Sequence, residues 1–338
     1  ASVLRDKIPT HEVAFQVLNG TQVRVNDFYR TPLLKTFERV MEQFTVRVSE
    51  DEVQEGLFRV PVPDYDVRAF REAFVNALIH RDYSRLGATH VRMETDGVTI
   101  SNPGGFVEGV TFNNLLIVEP KPRNPLLADV VKRIGLAERT GRGVDLIYRG
   151  MLRYGRPEPD YSYSDATTVV VRLSSAAPDT DFLKMIISEE ERRDAPLPLY
   201  SLIILSRLRK ERRLTAGSLA AAIQKRESDS RAVLERLMEA GLVTAHGTTR
   251  GRTYTLSSKV YQKLGKPDSY IRQAGFSAIQ QEQMVTQFVR ENGAITRSET
   301  AALCRITDSQ ASYLLRKLRD AGKLEMVGRK GGAHYTLP

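Results

Sequence analysis

The chain has 338 residues, 41% of them hydrophobic and 27% charged, the values of a folded globular protein rather than a disordered one. No apolar run of about 18 residues is present to cross a membrane as a helix, and residues 1–10 lack the apolar core of a signal peptide. A single cysteine, Cys304, and five scattered histidines exclude an internal disulfide and argue against structural zinc, which fits a cytoplasmic protein.

The net charge is +9 and unevenly placed. Residues 1–180 carry 23 Lys+Arg against 24 Asp+Glu, whereas residues 181–338 carry 27 against 17. The basic excess therefore sits in the second half, where it suits a polyanion such as DNA. A merely solvated basic surface is the plainer alternative.

In chain order, the first informative segment is Asp66–Tyr83, DVRAFREAFVNALIHRDY. Phe70, Ala73, Phe74 and Ala77 recur at helical spacing and predict a core-facing helix. Glu72, Asn76 and His80 then share one face. A carboxylate and a carboxamide stacked this way can orient a water and hold Mg²⁺, although the same pair is common on solvated faces. Thr89–Glu94 and Val98–Ser101 alternate around Thr95-Asp96-Gly97 and predict a hairpin. It runs into Asn102-Pro103-Gly104-Gly105, where glycines allow close backbone approach. A short lid segment of helical pattern follows, roughly Phe106–Arg139, in which Lys121 and Arg123 precede Lys132. Glu138–Val144 (ERTGRGV) is a Gly-rich turn opening a helix through Leu146, Ile147 and Met151. Such a turn presents free N–H groups to a phosphate.

This series resembles the GHKL ATPase fold of gyrase, heat-shock chaperones, histidine kinases and mismatch-repair proteins. More closely it is similar to RecG-related transcriptional regulators with an ATPase-like domain of the HATPase_c_4 type. The segments that carry the resemblance are Arg71–Tyr83 (REAFVNALIHRDY), Ile100–Gly105 (ISNPGG), Arg123–Ala128 (RNPLLA) and Glu138–Val144. The resemblance implies ATP and Mg²⁺ as cofactors. Glu72 would be the general base for water attack and Asn76 the Mg²⁺ ligand. Asn102 would accept from the adenine amino group, with Gly104 and Gly105 shaping that pocket. Gly141, Arg142 and Gly143 would cradle phosphates, joined by Lys121 and Arg123. The chain departs from the family in placing Asn102 where an Asp is usual, a neutral and weaker acceptor, and in contracting D-x-G-x-G to N-P-G-G. No G-x-x-x-x-G-K-[ST] occurs, so a motor helicase is not expected. Members of the subfamily often begin with a Schlafen/AlbA-like domain, which together with the missing initial Met suggests part of a longer protein.

The second half repeats itself. Val233–Val243 (VLERLMEAGLV) and Leu314–Leu324 (LLRKLRDAGKL) lie 81 residues apart, and Tyr254-Thr255-Leu256 matches Tyr335-Thr336-Leu337 at the same offset. Each copy predicts a first helix (Leu202, Leu205, Leu208; Met284, Phe288, Val289) and a short second helix. In copy two the second helix opens on the capping box Thr296-x-x-Glu299. A third helix (Val233, Leu234, Leu237; Leu314, Leu315, Leu318) ends at Gly241 or Gly322, and a two-stranded hairpin follows. Three helices and a hairpin describe a winged helix-turn-helix, and the phrases resemble the winged-helix domains of bacterial transcription regulators. In that fold the third helix meets base edges and the wing meets phosphates. The DNA-facing candidates are Arg226, Ser228, Asp229 and Arg231 with wing residues Thr248, Thr249, Arg250 and Arg252 in copy one. In copy two they are Ser309, Gln310, Ser312, Tyr313, Arg316 and Lys317 with wing residues Arg329 and Lys330. Copy two, the more basic, is the better DNA candidate.

The expected fold is α+β: a GHKL ATPase-like α/β sandwich over 1–176, a charged linker over 177–196, a winged helix over 197–258, a second linker over 259–277 and a second winged helix over 278–338. The expected function is a DNA-binding transcriptional regulator that binds, and in one version weakly hydrolyses, ATP. Its partner would be double-stranded DNA, with no membrane and with homodimerisation open by analogy. Two alternatives stand beside it: a non-enzymatic DNA binder on a vestigial nucleotide fold, and a scaffold whose winged helices bind protein.

Overall fold

A computed structural model describes residues 11–55, 58–138, 141–247, 251–263, 278–304, 306–328 and 333–338. Among them no helix is long and apolar enough to cross a membrane. The chain packs as two compact units, residues 1–210 with 216–237 and residues 211–215 with 238–338.

The first unit is built on a mixed sheet of β1 (Val13–Asn19), β2 (Gln22–Tyr29), β5 (Thr89–Glu94), β6 (Gly97–Pro103) and β7 (Thr168–Ser174), in the order β2-β1-β5-β6-β7. β1 and β5 run parallel and the other pairs antiparallel. β3 (Glu50–Glu55) and β4 (Phe58–Pro63) form a separate hairpin. Period-two alternation decides the sheet's inner face: Thr89, Val91 and Met93 are buried while Arg92 between them is exposed. Against that face pack α1 (Leu33–Thr45), α2 (Val67–His80), α3 (Pro125–Arg133) and α4 (Gly143–Leu152). A run of stacked rings joins α1 to α2: Phe44 lies 3.5 Å from Phe70 and Phe37 lies 5.7 Å from Phe74, centroid to centroid.

α2 is the predicted helix. Asp66 caps it by accepting the Ala69 N–H at 2.8 Å. Its buried face holds Phe70, Ala73, Phe74 and Ala77, as the spacing requires, and also Glu72. The hairpin expected over 89–101 is present as β5 and β6, with Gly97 already in the strand opposite Glu94 and a two-residue turn, Thr95-Asp96.

Residues 177–196 are not a solvated connector. Asp179 caps α5 (Thr180–Arg193) through the Phe182 N–H at 2.8 Å, and Phe182, Leu183, Met185 and Ile186 are buried. The charges that flank this apolar stripe concealed it in the sequence. The expected boundary near 176 is therefore displaced: the division into compact units falls inside the first repeat. That repeat's helices, α6 (Leu199–Glu211), α7 (Ala216–Ala222) and α8 (Glu227–Glu239), belong chiefly to the first unit.

The second unit holds the first repeat's strands β8 (Leu214–Thr215), β9 (Val243–His246) and β10 (Thr253–Leu256), ordered β8-β10-β9, followed by α9 (Ser258–Lys263). The second repeat is α10 (Ala278–Asn292), β11 (Ile295–Thr296), α11 (Arg297–Cys304), α12 (Asp308–Asp320), β12 (Glu325–Val327) and β13 (His334–Thr336), its strands ordered β11-β13-β12. Its core gathers Val285, Val289, Ile295, Cys304, Leu314, Leu315, Leu318 and Leu324. The Thr296–Glu299 box is present, with Glu299 Oε2 accepting the Thr296 N–H at 2.8 Å and Thr296 Oγ1 accepting the Glu299 N–H at 3.2 Å. A second box, Thr307–Gln310, starts α12. Gly241 and Gly322 follow α8 and α12 with φ of +71° and +69°, the left-handed conformation expected of them.

Gly150 on α4 lets α2 and α4 approach closely: a Cβ there would lie 2.7 Å from Ala69 Cβ and 2.9 Å from the Asp66 carboxyl carbon. Gly150→Ala gains about 1 kcal/mol of helix propensity but overpacks a site where such clashes cost roughly 1–3 kcal/mol. The expected outcome is net destabilisation, read as a lower urea midpoint. A variant as stable as the parent would show that the two helices part freely.

Candidate functional site

Four sequence-distant segments meet in one cleft of the first unit, about 1160 Å³ counting its open mouth. Glu72, Asn76 and His80 line it from α2, Asn102 and Gly105 from the end of β6, Lys121 from the lid segment 106–122, and Gly141 and Gly143 from the turn into α4. Six of the nine predicted cofactor residues thus converge with the predicted base Glu72. The walls are largely apolar, with Ile100, Val169 and Val171 from the sheet and Phe106, Val107 and Val110 from the lid. Lys132, Glu119, Glu138 and Tyr161 also line it. Lys132 is one helical turn beyond Ala128 on α3 and faces the cleft with it, a periodicity the sequence offered; Tyr161 carried no such signal.

Three predicted cofactor residues have other work. Gly104 has φ +95°, and a Cβ there would meet Asp82 Cβ at 2.7 Å, so its glycine serves backbone packing outside the cleft lining. Arg123 is committed to main chain: Nε donates to the His80 carbonyl at 3.0 Å and Nη2 to the Gly105 carbonyl at 2.7 Å. Beside it Asn124 Nδ2 donates to the Ile79 carbonyl at 3.0 Å and the Arg81 carbonyl at 2.8 Å. The RNP segment is a clamp on the carbonyls that α2 leaves open at its C-terminus, not a phosphate site. Arg142 is exposed and absent from the lining, and its N–H donates to Glu138 Oε2 at 3.0 Å.

The electrostatics follow from burial. Glu72 is 4% exposed, and burial pushes its carboxyl above the usual range, opposed by the Glu138 N–H, which it accepts at 3.4 Å. Gly143 is required here: a Cβ on it would fall 2.0 Å from Glu72 Oε1. Its close approach is thus to a carboxylate of the chain itself. Asn102 is buried, its Nδ2 donating to the Pro103 carbonyl at 3.2 Å, which leaves its oxygen as the acceptor toward the cleft. Among the described residues no cluster of three or more His, Cys, Asp or Glu is placed to hold a metal.

The DNA-facing candidates lie on the exposed helix faces expected. Arg226, Ser228 and Arg231 are exposed on or before α8, Asp229 is partly so, and Arg226 pairs with Asp229 at 3.4 Å and Arg231 with Glu227 at 2.5 Å. Such surface pairs are weak and open readily to a competing phosphate. On α12, Ser309, Tyr313, Arg316 and Lys317 are exposed and Ser312 partly so. Gln310 is exposed, and its Oε1 closes the capping box by accepting the Thr307 N–H at 3.0 Å. Lys317 reaches Glu282 Oε1 at 2.8 Å. Arg252 stacks its guanidinium over Tyr254 at 5.5 Å. Thr248, Thr249, Arg250, Arg329 and Lys330 lie outside the described residues.

Two family models match parts of the chain. Residues 87–173 match the family described as "Putative ATP-dependent DNA helicase recG C-terminal". Residues 188–338 match the family described as "DNA glycosylase AlkZ-like". Both descriptions name proteins of DNA. The second match covers both repeats and is not to a family of transcription regulators. Among solved structures the chain is similar to the DIP2311 protein of Corynebacterium diphtheriae, at 27% identity over 76% of this chain with a TM-score of 0.66. The chain covers 54% of the length of that protein. No curated protein matches.

His80 gives a test of the cleft's interior. Burial, and then the Arg123 charge, hold its imidazole down at about 4, against an ordinary 6.5. A folded state that refuses a proton the unfolded chain accepts is fully stabilised above 6.5 and loses stability as pH falls toward 4. Between pH 7.5 and 4.5 the parent should lose about 1–2 kcal/mol more than His80→Gln, allowing for partial solvent access. Parallel urea-stability curves for the two proteins would place a charged histidine there.

Proposed function

We propose that the first unit binds a nucleotide of the ATP type and that the two repeats are winged helix-turn-helix modules that bind double-stranded DNA, making the protein a nucleotide-responsive DNA-binding regulator. The nucleotide part rests on one observation: the predicted motifs of four separate segments line a single apolar-walled cleft. Ile100, Val169, Val171 and Phe106 would give a base apolar walls with the Asn102 oxygen as acceptor, and Lys121 and Lys132, which line the same cleft, would meet the phosphates. Mg²⁺, which prefers oxygen ligands and keeps several waters, would take the Asn76 amide oxygen. When bound, it would neutralise charge between phosphates.

Turnover is less favoured than binding. Glu72 lies against Gly143 and the first turn of α4, and the Arg142 N–H that a phosphate would use is taken by Glu138. A phosphate must displace the Glu138 carboxylate first. Binding without hydrolysis is therefore the second reading.

DNA binding is supported by the basic excess after residue 180, by the similarity of 188–338 to a DNA glycosylase family, and by the exposed Tyr313, Arg316 and Lys317 of α12. Calorimetric titration of Mg·ATP should give binding that Asn76→Ala weakens at least tenfold; no heat at millimolar nucleotide would remove the nucleotide part. Duplex DNA affinity should fall steeply with salt, as phosphate contacts demand, and Arg316→Ala should weaken it across sequences. A salt-independent affinity would point to protein partners instead.

A further inference from the structure

The lid segment is tied to the first helix-turn-helix. Gln224 stands in the turn after α7 with φ +56°, two residues before Arg226. Its carboxamide makes a two-point contact with lid main chain: Oε1 accepts the Leu116 N–H at 2.8 Å and Nε2 donates to the Phe112 carbonyl at 2.9 Å. Tyr200 on α6 adds its hydroxyl to the Leu116 carbonyl at 3.3 Å. The same stretch faces the cleft through Leu115 and Val118. It is internally braced by Asn114, whose Oδ1 accepts the Thr111 N–H at 2.7 Å and whose Nδ2 donates to the Gly109 carbonyl at 2.9 Å. A braced turn with one side in the cleft and the other on Gln224 moves as a piece.

We propose that Gln224 is a latch: it holds the lid against the turn that leads into α8 and so opposes DNA binding by that helix until the cleft is filled. Phe112, whose carbonyl takes the Gln224 bond, and Ile117 of the latched lid are half-exposed, and a polyanionic duplex gains nothing from apolar side chains on a segment tied to the turn before α8. A ligand that pushes on Leu115 and Val118 or recruits Lys121 displaces the stretch, loosens the latch and frees the turn. Linkage makes the effect reciprocal, so DNA should tighten nucleotide by the same factor. The inference rests on the proposed nucleotide and DNA sites.

The test uses the full chain and Gln224→Asn, which keeps a residue at ease with positive φ but is one methylene too short to span to the lid. DNA affinity is measured with and without Mg·ATP, and exchange of the Leu116 amide is followed by hydrogen-exchange mass spectrometry. The expected result for the parent is a roughly 5–50-fold tightening of DNA by Mg·ATP, in the usual range of allosteric coupling. In Gln224→Asn the Leu116 amide should exchange faster, DNA should bind tightly without nucleotide, and Mg·ATP should add nothing. If both ligands bind but Mg·ATP leaves DNA affinity unchanged or weakens it, or if tightening survives in the variant, the latch is overturned while the two sites stand. If either ligand fails to bind the parent, the reading of that site fails and the latch falls with it.

Discussion

A helix that enters a core must leave no polar end unsatisfied, and α2 is the helix on which the first unit depends. Its N-terminus is closed by Asp66 and its C-terminal carbonyls by Asn124, Arg123 and Tyr83, the last donating to the Leu78 carbonyl at 3.1 Å. Each of these partners ties α2 to something else. Arg123 also reaches the Gly105 carbonyl at the end of β6, and Asn124 starts α3. The clamp therefore sets, in one stroke, where the sheet's end, the lid and α3 stand relative to Glu72 and Asn76. The cleft is a consequence of capping α2 as much as of any residue facing into it.

Around the cleft the chain's own carboxylates do what an anionic ligand would do. The opening turn of α4 offers N–H groups and the positive end of a helix dipole. Glu138 takes one of those donors and Glu72 lies against Gly143. These carboxylates compensate donors at the start of α4. Burial pushes the Glu72 carboxyl above its usual range, opposed by the Glu138 N–H.

In the repeats the balance differs. Their cores need only three short helices and small sheets, and the cap chemistry is local: Thr296 with Glu299, Thr307 with Gln310. That locality has a price in function. Gln310, at the start of the helix that would face DNA, commits its carboxamide oxygen to the cap and keeps only its N–H donors for a base edge. The exposed cations divide likewise, Arg226 and Arg231 resting on acidic neighbours and Lys317 on Glu282. Pairs of this sort hold side chains near a useful position while leaving them cheap to redirect.

Local pattern was enough for much of this. Helical spacing placed α2, alternation placed β5 and β6, the 81-residue repeat gave two three-helix modules with hairpins, and Thr-x-x-Glu gave a cap, because each of these is decided by residues a few positions apart. The convergence of Glu72, Asn76, Asn102, Gly105, Lys121, Gly141 and Gly143 was implied by the family resemblance rather than by local pattern. What tertiary structure decided is which groups already have partners. Arg123 carried the chemistry of a phosphate ligand and became a backbone clamp; Gly104 met Asp82; the connector over 177–196 became α5, since four apolar residues among many charges found a core to enter. Gln224 showed nothing in sequence, for its meaning lies in the main chain of residues more than a hundred positions away. Sequence specifies what a side chain can do; only the packed chain determines which of those capacities remain unspent.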